Sequence, residues 1–302
     1  MIRSLVILGI LLSACFAGRC QSLLNDVKEL SSDKYQGRKT ATEGNRMAAE
    51  YIVKRFKAIG LKSYNSSFKH SFSFRNQEKT IKGTNLIGYI QGKKKDVIVI
   101  SAHYDHLGVI NGKIYNGADD DASGIGGLLA IAEHFSRNKP EHTLVFAAFD
   151  AEEMGLQGAK AFVARPPVAL SLVKLNINLD MISHNDKGEL YVAGTYHYPE
   201  LKGYLFVTKA NIKLLTGHDN PQQTSADDWT NQGDHGAFHA KKIPFLYFGV
   251  EDHKDYHQPS DDFENINKEF YKNAVSSILE VVKNYDQGKT IQKVFRNKKI
   301  MR

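Results

Sequence analysis

The chain has 302 residues, of which 42% are apolar and 24% are charged, with 24 Gly, 7 Pro and 2 Cys. This composition is typical of a globular protein and excludes a disordered, collagen-like or disulfide-stapled chain. The formal net charge is +7, but residues 287–302 carry six basic residues and no acidic one. Because the basic excess lies in this tail rather than on a folded face, we expect no nucleic-acid partner.

The first 20 residues have the layout of an export signal. A basic residue precedes an apolar run over residues 5–12, which is too short for a membrane-spanning helix of about 20 residues. Residues 12–15 (LSAC) look like the lipobox of bacterial lipoproteins, in which cleavage leaves a lipid-bearing cysteine, here Cys15, at the N-terminus. We therefore expect an exported protein, anchored to the bacterial cell envelope through Cys15 or simply periplasmic or secreted.

Apolar periodicity predicts the first elements of the folded chain. Helical spacing indicates helices over residues 23–30 and 42–59, and Gly60 ends the second. Strands are predicted over residues 67–74, 84–90, 96–102, 143–149 and 173–179. The third of these strands is a β-branched run that is typical of a strand buried on both faces.

Helices alternate with these strands. One begins near Ala122 and a short one covers residues 156–164. Further strands and helices are predicted at residues 190–193, 201–212, 236–240, 244–248 and 266–285. This alternation predicts an α/β fold with a largely parallel sheet covered on both faces. No linker-like segment interrupts residues 21–286, so we expect one domain between a leader (1–20) and a basic tail (287–302).

Polar side chains follow three of the predicted buried strands. His103 and Asp105 follow the first, Glu152 and Glu153 the second, and Asp180 the third. In α/β sheets, ligands and chemistry gather at the carboxyl ends of strands. One acid after a strand is usually a cap or a solvated loop, but three such clusters in one chain predict a shared site.

The residue types in these clusters indicate metal chemistry. His103 and Asp105 project to the same side of an extended segment, as a metal-binding imidazole and its carboxylate partner do. Helix capping explains one acid of the triplet 119–121, whereas two metal ions that share one acid would relieve the repulsion among all three. For Glu152 and Glu153, we expect one to bind metal and the other to take a proton from a metal-bound water.

Nearby polar residues have simpler interpretations. Asp119 and Asp121 are expected to cap or orient the helix that follows rather than to bind metal. His106 and His253 are predicted to be surface histidines. Asp234, with the histidine after it, either caps a helix or lines the pocket.

Five motifs occur in an order and spacing that together resemble the M28 family of zinc aminopeptidases. They are AHYD at 102–105, GADDDASG at 117–124, DAEEMG at 150–155, LDM at 179–181 and YH at 256–257. The resemblance extends from about residue 36 to the final helix. It implies that His103 and Asp180 hold one zinc, that Glu153 and His257 hold the other, and that Asp120 bridges the two.

The resemblance also implies roles for three further side chains. Glu152 matches the general base, Asp105 matches the partner of His103, and Tyr256 looks like the tyrosine that polarises the scissile carbonyl in some members. The implied fold is a three-layer sandwich, with a mixed sheet of about eight strands between helices. The implied cofactors are two Zn²⁺ per chain, and the implied substrates are peptides with a free N-terminus.

This chemistry also follows from the residue types. Imidazole and carboxylate ligands suit Zn²⁺, and two zinc ions about 3.5 to 4 Å apart can share a water while one polarises a carbonyl. A free α-amino group that binds one zinc would leave only the first peptide bond within reach. The alternatives are a single-zinc glutaminyl cyclase or a carboxypeptidase on the same scaffold, or a catalytically inactive binding module.

Overall fold

The computed structural model describes residues 22–208, 211–222 and 227–292. The predicted leader with Cys15 lies outside these residues, as do residues 293–302 of the predicted tail. Within the described ranges, no helix combines the length and the hydropathy that crossing a membrane requires.

The helices form where the apolar spacing predicts them. They are α1 (residues 22–30), α2 (Glu43–Ile59), α3 (Gly124–Arg137), α4 (Gln157–Ala164), α5 (His235–His239) and α6 (Lys268–Asp286). At the start of α2, the Thr42 hydroxyl accepts the Asn45 amide at 3.3 Å, which satisfies one of the free amides of the first turn. Gly60 ends this helix with a left-handed φ of 86°, as predicted.

The described residues form eleven strands, nine of which make one mixed sheet. The strands are β1 (Lys62–Ser63), β2 (Lys69–Asn76), β3 (Lys79–Ile90), β4 (Val97–His103), β5 (Gly108–Ile110), β6 (Lys113–Tyr115), β7 (Thr143–Phe149), β8 (Val173–Leu179), β9 (Glu189–Ala193), β10 (Lys213–Thr216) and β11 (Phe245–Gly249). The order is β1-β3-β7-β4-β8-β11-β9-β10, with β2 paired to β3, while β5 and β6 form a separate hairpin. The predicted α/β fold with a mixed sheet is confirmed.

The parallel part of the sheet is its centre. Strands β7, β4, β8 and β11 pair in parallel, as do β9 and β10, whereas β1, β2 and β3 and the β9–β11 pair are antiparallel. The sheet is less parallel than predicted at the edge formed by β1, β2 and β3. There a tight turn joins β2 to β3 and pairs Asn76 with Lys79. Such a short connection permits only antiparallel pairing.

The central strands separate two apolar cores. Every residue of β4 is buried, and successive side chains of this strand point to opposite faces. Ile98 and Ile100 pack with residues of α2, α3 and α6, whereas Val97 and Val99 pack with residues of α4 and α5. Helices therefore cover both faces of the central strands, and the carboxyl edge of these strands is the place where polar residues can gather.

One segment predicted to hold regular structure has it only at its start, among the residues that the structure describes. Of residues 201–212, a 3₁₀ helix over Pro199–Tyr204 covers only the beginning, and β10 starts after the end. The side-chain amide of Asn284, on α6, donates to the carbonyls of Tyr204 and Phe206 at 3.1 and 2.9 Å. These bonds take up carbonyl groups that a longer helix would use internally.

Candidate active site

The predicted site residues meet at one edge of the sheet. His103 is the last residue of β4, and Asp180 directly follows β8. Glu152 and Glu153 follow β7, and His257 lies in the loop after β11. Because these four strands are adjacent and parallel, their carboxyl ends lie side by side. The polar clusters that follow these strands therefore meet at one place, as predicted.

Asp120 lies between two groups of ligand-type atoms. Its Oδ1 atom is 3.1 Å from His103 Nε2, which is 3.5 Å from Asp180 Oδ1. Its Oδ2 atom is 3.1 Å from His257 Nε2, which is 3.4 Å from Glu153 Oε2. The five side chains that the resemblance assigned to metal binding are thus together, with one oxygen of Asp120 facing each group.

A sixth side chain with ligand atoms is buried in the same place. His106 is 1% exposed, and its Nδ1 atom is 2.8 Å from Glu153 Oε1 and 3.6 Å from Asp120 Oδ2. The prediction of a surface histidine is therefore wrong. After β4 the chain continues along β7, where the Tyr104 amide donates to the Phe149 carbonyl at 2.9 Å, and this keeps the following residues inside.

The cluster fits divalent metal ions. His106 Nδ1 and Glu153 Oε1 face each other at 2.8 Å but not at a hydrogen-bonding angle, and among the described residues neither these two atoms nor His106 Nε2 has a hydrogen-bond partner. Buried polar atoms left in this way are costly unless a cation compensates. Imidazole nitrogen and carboxylate oxygen are zinc ligands, and two such atoms on one tetrahedral zinc lie about 3.3 Å apart. The ligand atoms fall into two groups of three residues, and within each group they lie no more than 4.8 Å apart. One group is His103, Asp120 and Asp180, and the other is His106, Asp120 and Glu153.

The two adjacent glutamates have opposite electrostatic environments. Burial raises the pKa of Glu152 well above its usual range, and Asp180 adds to the rise although His103 opposes it. Burial and Asp120 also act to raise the pKa of Glu153, but contacts with His106 and His257 outweigh them and lower it. The two neighbouring carboxyls therefore have pKa values shifted in opposite directions.

Asp105 contacts His103 and also the two glutamates. His103 Nδ1 is 3.1 Å from the backbone carbonyl of Asp105 and 3.7 Å from its carboxylate, so the carbonyl rather than the carboxylate is the hydrogen-bond partner. The carboxylate accepts the backbone amides of Glu152 and Glu153 at 3.0 and 3.3 Å. Asp105 therefore fixes the ring of His103 and the turn after β7 at once.

The acids on either side of Asp120 orient the backbone, as predicted. Asp121 accepts the amides of Gly124 and His103 at 2.9 and 3.1 Å. Asp119 accepts the amide and the hydroxyl of Ser183 at 2.7 and 2.8 Å. Asp119 Oδ2 is also 3.0 Å from Nε2 of His253, whose side chain is only 11% exposed, so the prediction of a surface histidine is wrong here as well.

Comparison with known proteins adds the family. The model of peptidase family M28 matches residues 85–282, which is more than half of the chain. The chain belongs to peptidase family M28. All five residues that were assigned to metal binding lie within the matched region.

Two bacterial relatives agree with this family. The chain is 28% identical over 230 residues to aminopeptidase YwaD of Bacillus subtilis, and the match covers 71% of the chain and 48% of that protein. It is 29% identical over 181 residues to the alkaline phosphatase isozyme conversion protein of Escherichia coli, covering 55% of the chain and 52% of that protein. The chain thus spans about half the length of these relatives.

Solved structures share the fold. An aminopeptidase from Aneurinibacillus sp. strain AM-1 matches with a TM-score of 0.67 and 17% identity, covering 88% of this chain and 93% of that one. A glutaminyl cyclase of Bacteroides thetaiotaomicron bound to N-acetylhistamine matches with a TM-score of 0.69 and 19% identity, covering 88% and 97%. At these identities the likeness establishes the fold alone.

Asp234 lies against the M28 site and does not cap a helix. It stands at the N-terminus of α5, but its side chain makes no capping hydrogen bond. Among the described residues, neither of its buried carboxylate oxygens has a hydrogen-bond partner. Burial raises the pKa of Asp234 to about 8, and Asp105 and Asp180 contribute although His103 opposes the shift. Asp234 is fully buried and is not among the residues that line the pocket, so neither of the two predicted roles, helix cap or pocket wall, describes it.

Tyr256 belongs to the wall of the M28 pocket. Its ring stacks on His257, with ring centroids 4.0 Å apart and an interplanar angle of 28°. Glu152, Trp229 and Tyr247 line the same pocket. Burial, with the nearby Asp120 and Asp180, raises the pKa of Tyr256 well above its usual range. Its hydroxyl therefore stays protonated and able to donate a hydrogen bond.

Proposed function

We propose that the chain is a di-zinc aminopeptidase that hydrolyses the first peptide bond of peptides with a free N-terminus. The observation that carries the proposal is the position of Asp120, with Oδ1 at 3.1 Å from His103 Nε2 and Oδ2 at 3.1 Å from His257 Nε2. A carboxylate placed in this way can serve two ions at once. Membership of the M28 family and the similarity to aminopeptidase YwaD support the same assignment.

We assign the two ions to the two sides of Asp120. His103 and Asp180 would hold one zinc, and Glu153 and His257 would hold the other, with Asp120 shared between them. The lowered pKa of Glu153 suits a ligand, because a ligand must be deprotonated. His103 would bind through Nε2, because its Nδ1 is already directed at the Asp105 carbonyl.

Glu152 is the proposed general base. Bound zinc lowers the pKa of water and polarises a carbonyl oxygen. Glu152 would accept a proton from the attacking water and return it to the amine that leaves. Asp105 would act as a positioning residue, since its carboxylate holds the amides of Glu152 and Glu153.

Tyr256 and the acids of the pocket account for substrate orientation. The protonated hydroxyl of Tyr256 would donate a hydrogen bond to the scissile carbonyl. Asp252 also lines the pocket and is not among the proposed zinc ligands, so its carboxylate would be free to contact a substrate ammonium group. A peptide whose amino end is blocked lacks this group and should bind poorly.

The proposal extends to the organisation and location of the chain. Residues 21–286 would form one M28 peptidase domain, residues 1–20 an export leader, and residues 287–302 a basic tail. The lipobox-like residues 12–15 support a lipid on Cys15 and a place in the bacterial cell envelope. The alternative is release into the periplasm or the medium after cleavage of the leader.

The decisive assay compares three substrate classes on the purified protein, with and without chelator. We expect cleavage of aminoacyl-arylamides, no cleavage of matched N-blocked peptides, and no cyclisation of glutaminyl peptides. Glu152→Gln should lower kcat by roughly 100-fold or more, since a general base contributes about 10² to 10⁴. Glu50→Gln, an exposed glutamate on α2, is the matched control and should keep full activity.

Three results would contradict the proposal. Cleavage of blocked peptides would remove the exopeptidase assignment, and full activity of the Glu152 variant would remove the proposed base. Cyclisation of glutaminyl peptides with one bound zinc would favour the glutaminyl cyclase.

A further inference from the structure

A second cavity lies beside the pocket of the proposed di-zinc centre. It has a volume of about 250 Å³, and we call it the side cleft. The buried side chains of Thr40, Asp105 and His106 form its inner end. Its apolar walls are Leu107, Ile110 and Met154. The proposed mechanism gives this cavity no role.

The side cleft and the pocket lie on opposite sides of the metal cluster. Tyr247 of the pocket belongs to β11, whereas Met154 of the side cleft follows β7 and Asn76 ends β2. In the sheet, β4 and β8 lie between β7 and β11. Glu153 lines both cavities. A peptide whose first residue occupies the pocket can therefore continue past Glu153 into the side cleft.

The apolar walls of the side cleft are only partly covered. Leu107 and Met154 are half-buried, and Ile110 is 37% exposed. An apolar side chain placed between them would remove this surface from water, which is favourable. The neighbouring residue Val109 is also exposed, but it does not line the cleft, because successive side chains of a strand point to opposite faces.

The open end of the side cleft carries a cation. The side chain of Lys39 is exposed and forms no ion pair with any residue that the structure describes. Its stem lies across the backbone of Gly108, where an added Cβ would be 2.7 Å from Lys39 Cβ and 3.2 Å from Lys39 Cδ. Lys39 also lies outside residues 85–282, the region that the family model matches.

The two acids that line the side cleft are already engaged. Asp105 accepts the backbone amides of Glu152 and Glu153, and Glu153 is a proposed zinc ligand. A ligand carboxylate would therefore lie at the open end, beside Lys39. The volume of the side cleft is slightly below the about 300 Å³ at which small-molecule sites begin, so it suits one amino-acid residue rather than a longer segment.

We propose that the side cleft binds the second residue of dipeptide substrates, with an apolar side chain between the apolar walls and the terminal carboxylate at Lys39. This inference rests on the proposed peptidase function and names its substrate class. In a longer peptide the carboxylate is replaced by an uncharged amide, and Lys39 loses this contact.

The test compares kcat/KM among alanyl peptides that share the first residue. Alanyl-leucine should exceed alanyl-glycine by about 10-fold or more, because an apolar subsite discriminates by at least this factor between side chains of different size. Alanyl-leucine amide should fall about 2- to 5-fold below alanyl-leucine, because an exposed ion pair contributes up to about 1 kcal/mol.

Two variants assign these differences to the side cleft. Ile110→Asp should raise KM for alanyl-leucine about 10-fold with little change in kcat, as expected when only binding is lost. Lys39→Gln should make alanyl-leucine and its amide equal. The matched controls are Val109→Asp, on the same strand, and Lys113→Gln, an exposed lysine on β6. Neither control residue lines the side cleft, and neither substitution should change these values.

A binding measurement keeps the test independent of turnover. In Glu152→Gln protein with methyl-labelled isoleucine and methionine, alanyl-leucine should shift the resonances of Ile110 and Met154. Unshifted resonances, or equal kcat/KM for alanyl-leucine and alanyl-glycine, would overturn the role of the side cleft while leaving the peptidase proposal intact. Failure of the peptidase proposal would appear differently, as no hydrolysis of any of the alanyl peptides.

Discussion

Replacing Arg38 should destabilise the protein more than replacing an exposed arginine would. Arg38 is 1% exposed, and its guanidinium donates to four backbone carbonyls. These belong to Leu30, at 2.7 Å, Tyr104, at 2.8 Å, Asn116, at 2.6 Å, and Gly117, at 2.9 Å. The first lies at the end of α1 and the last two lead into the acidic turn, so one side chain joins three segments behind the metal cluster.

The expected loss follows from these contacts. Arg38→Met would leave four carbonyl oxygens without their donor, each at a cost of about 1 to 3 kcal/mol before relaxation and water entry. Burial lowers the pKa of Arg38, so removing the guanidinium also recovers a desolvation cost that offsets part of the loss. We therefore expect the free energy of unfolding to fall by about 3 to 5 kcal/mol. The free energy of unfolding of Arg38→Lys should lie between those of the unsubstituted protein and Arg38→Met. A lysine ammonium keeps the charge but cannot reproduce the planar, multiple N–H donors of the guanidinium.

The assay is urea unfolding of metal-free protein, followed by circular dichroism and by the fluorescence of Trp229. Removing the metal with chelator separates the fold from ion binding. Arg46→Met is the matched control, because Arg46 is an exposed arginine on α2 that pairs with Glu43, and it should leave the unfolding midpoint unchanged. Equal effects of the two substitutions would refute the reasoning.

Two further predictions concern the end of α6 and the metal cluster. Burial raises the pKa of Asp286, but hydrogen bonds from the His142 ring and the Glu141 and His142 amides outweigh it and lower the pKa below its usual 3.8. This carboxylate therefore stabilises the fold above about pH 4 and stops doing so as the pH falls through its folded pKa. Asp286→Asn should cost about 1 to 2 kcal/mol at pH 7 in urea unfolding and progressively less as the pH falls below 3.8, and a pH-independent loss would contradict this. His106→Gln should weaken zinc binding by about 10- to 100-fold in a chelator competition, whereas His257→Gln should remove one of the two ions. The opposite result would make His106 the zinc ligand and His257 a residue that only supports the site.

The positions of the main site residues were predictable because the sheet dictates them. Apolar runs locate β4, β7 and β8, and parallel pairing then places His103, Glu153 and Asp180 at one edge. No tertiary detail is needed for that step. The helix bounds were predictable for a similar reason, since apolar spacing and capping residues are local signals.

Burial and hydrogen-bond partners were less predictable. A histidine in a loop gives no local sign that it will be buried, so the position of His106 depends on how the chain after β4 follows β7. The use of the Asp105 carboxylate by the amides of Glu152 and Glu153 depends on the turn after β7, where Ala151 has a left-handed φ of 60°. Such angles are set by tertiary contacts.

The sequence contains a local turn signal for the β5–β6 hairpin. Its turn contains Asn111 and Gly112, which have φ values of 51° and 74°. An Asn-Gly pair with positive φ at both residues is typical of a tight hairpin turn. The strands are three residues each, too short for periodicity to indicate them.

The most direct test of the account is a crystal structure of the zinc-loaded protein with anomalous data collected at the zinc edge. We expect two anomalous peaks in the pocket, about 3.5 to 4 Å apart, one on each side of Asp120. The first should contact His103 and Asp180, and the second Glu153 and His257. A single peak in the pocket, or two peaks that do not share Asp120, would contradict the di-zinc assignment.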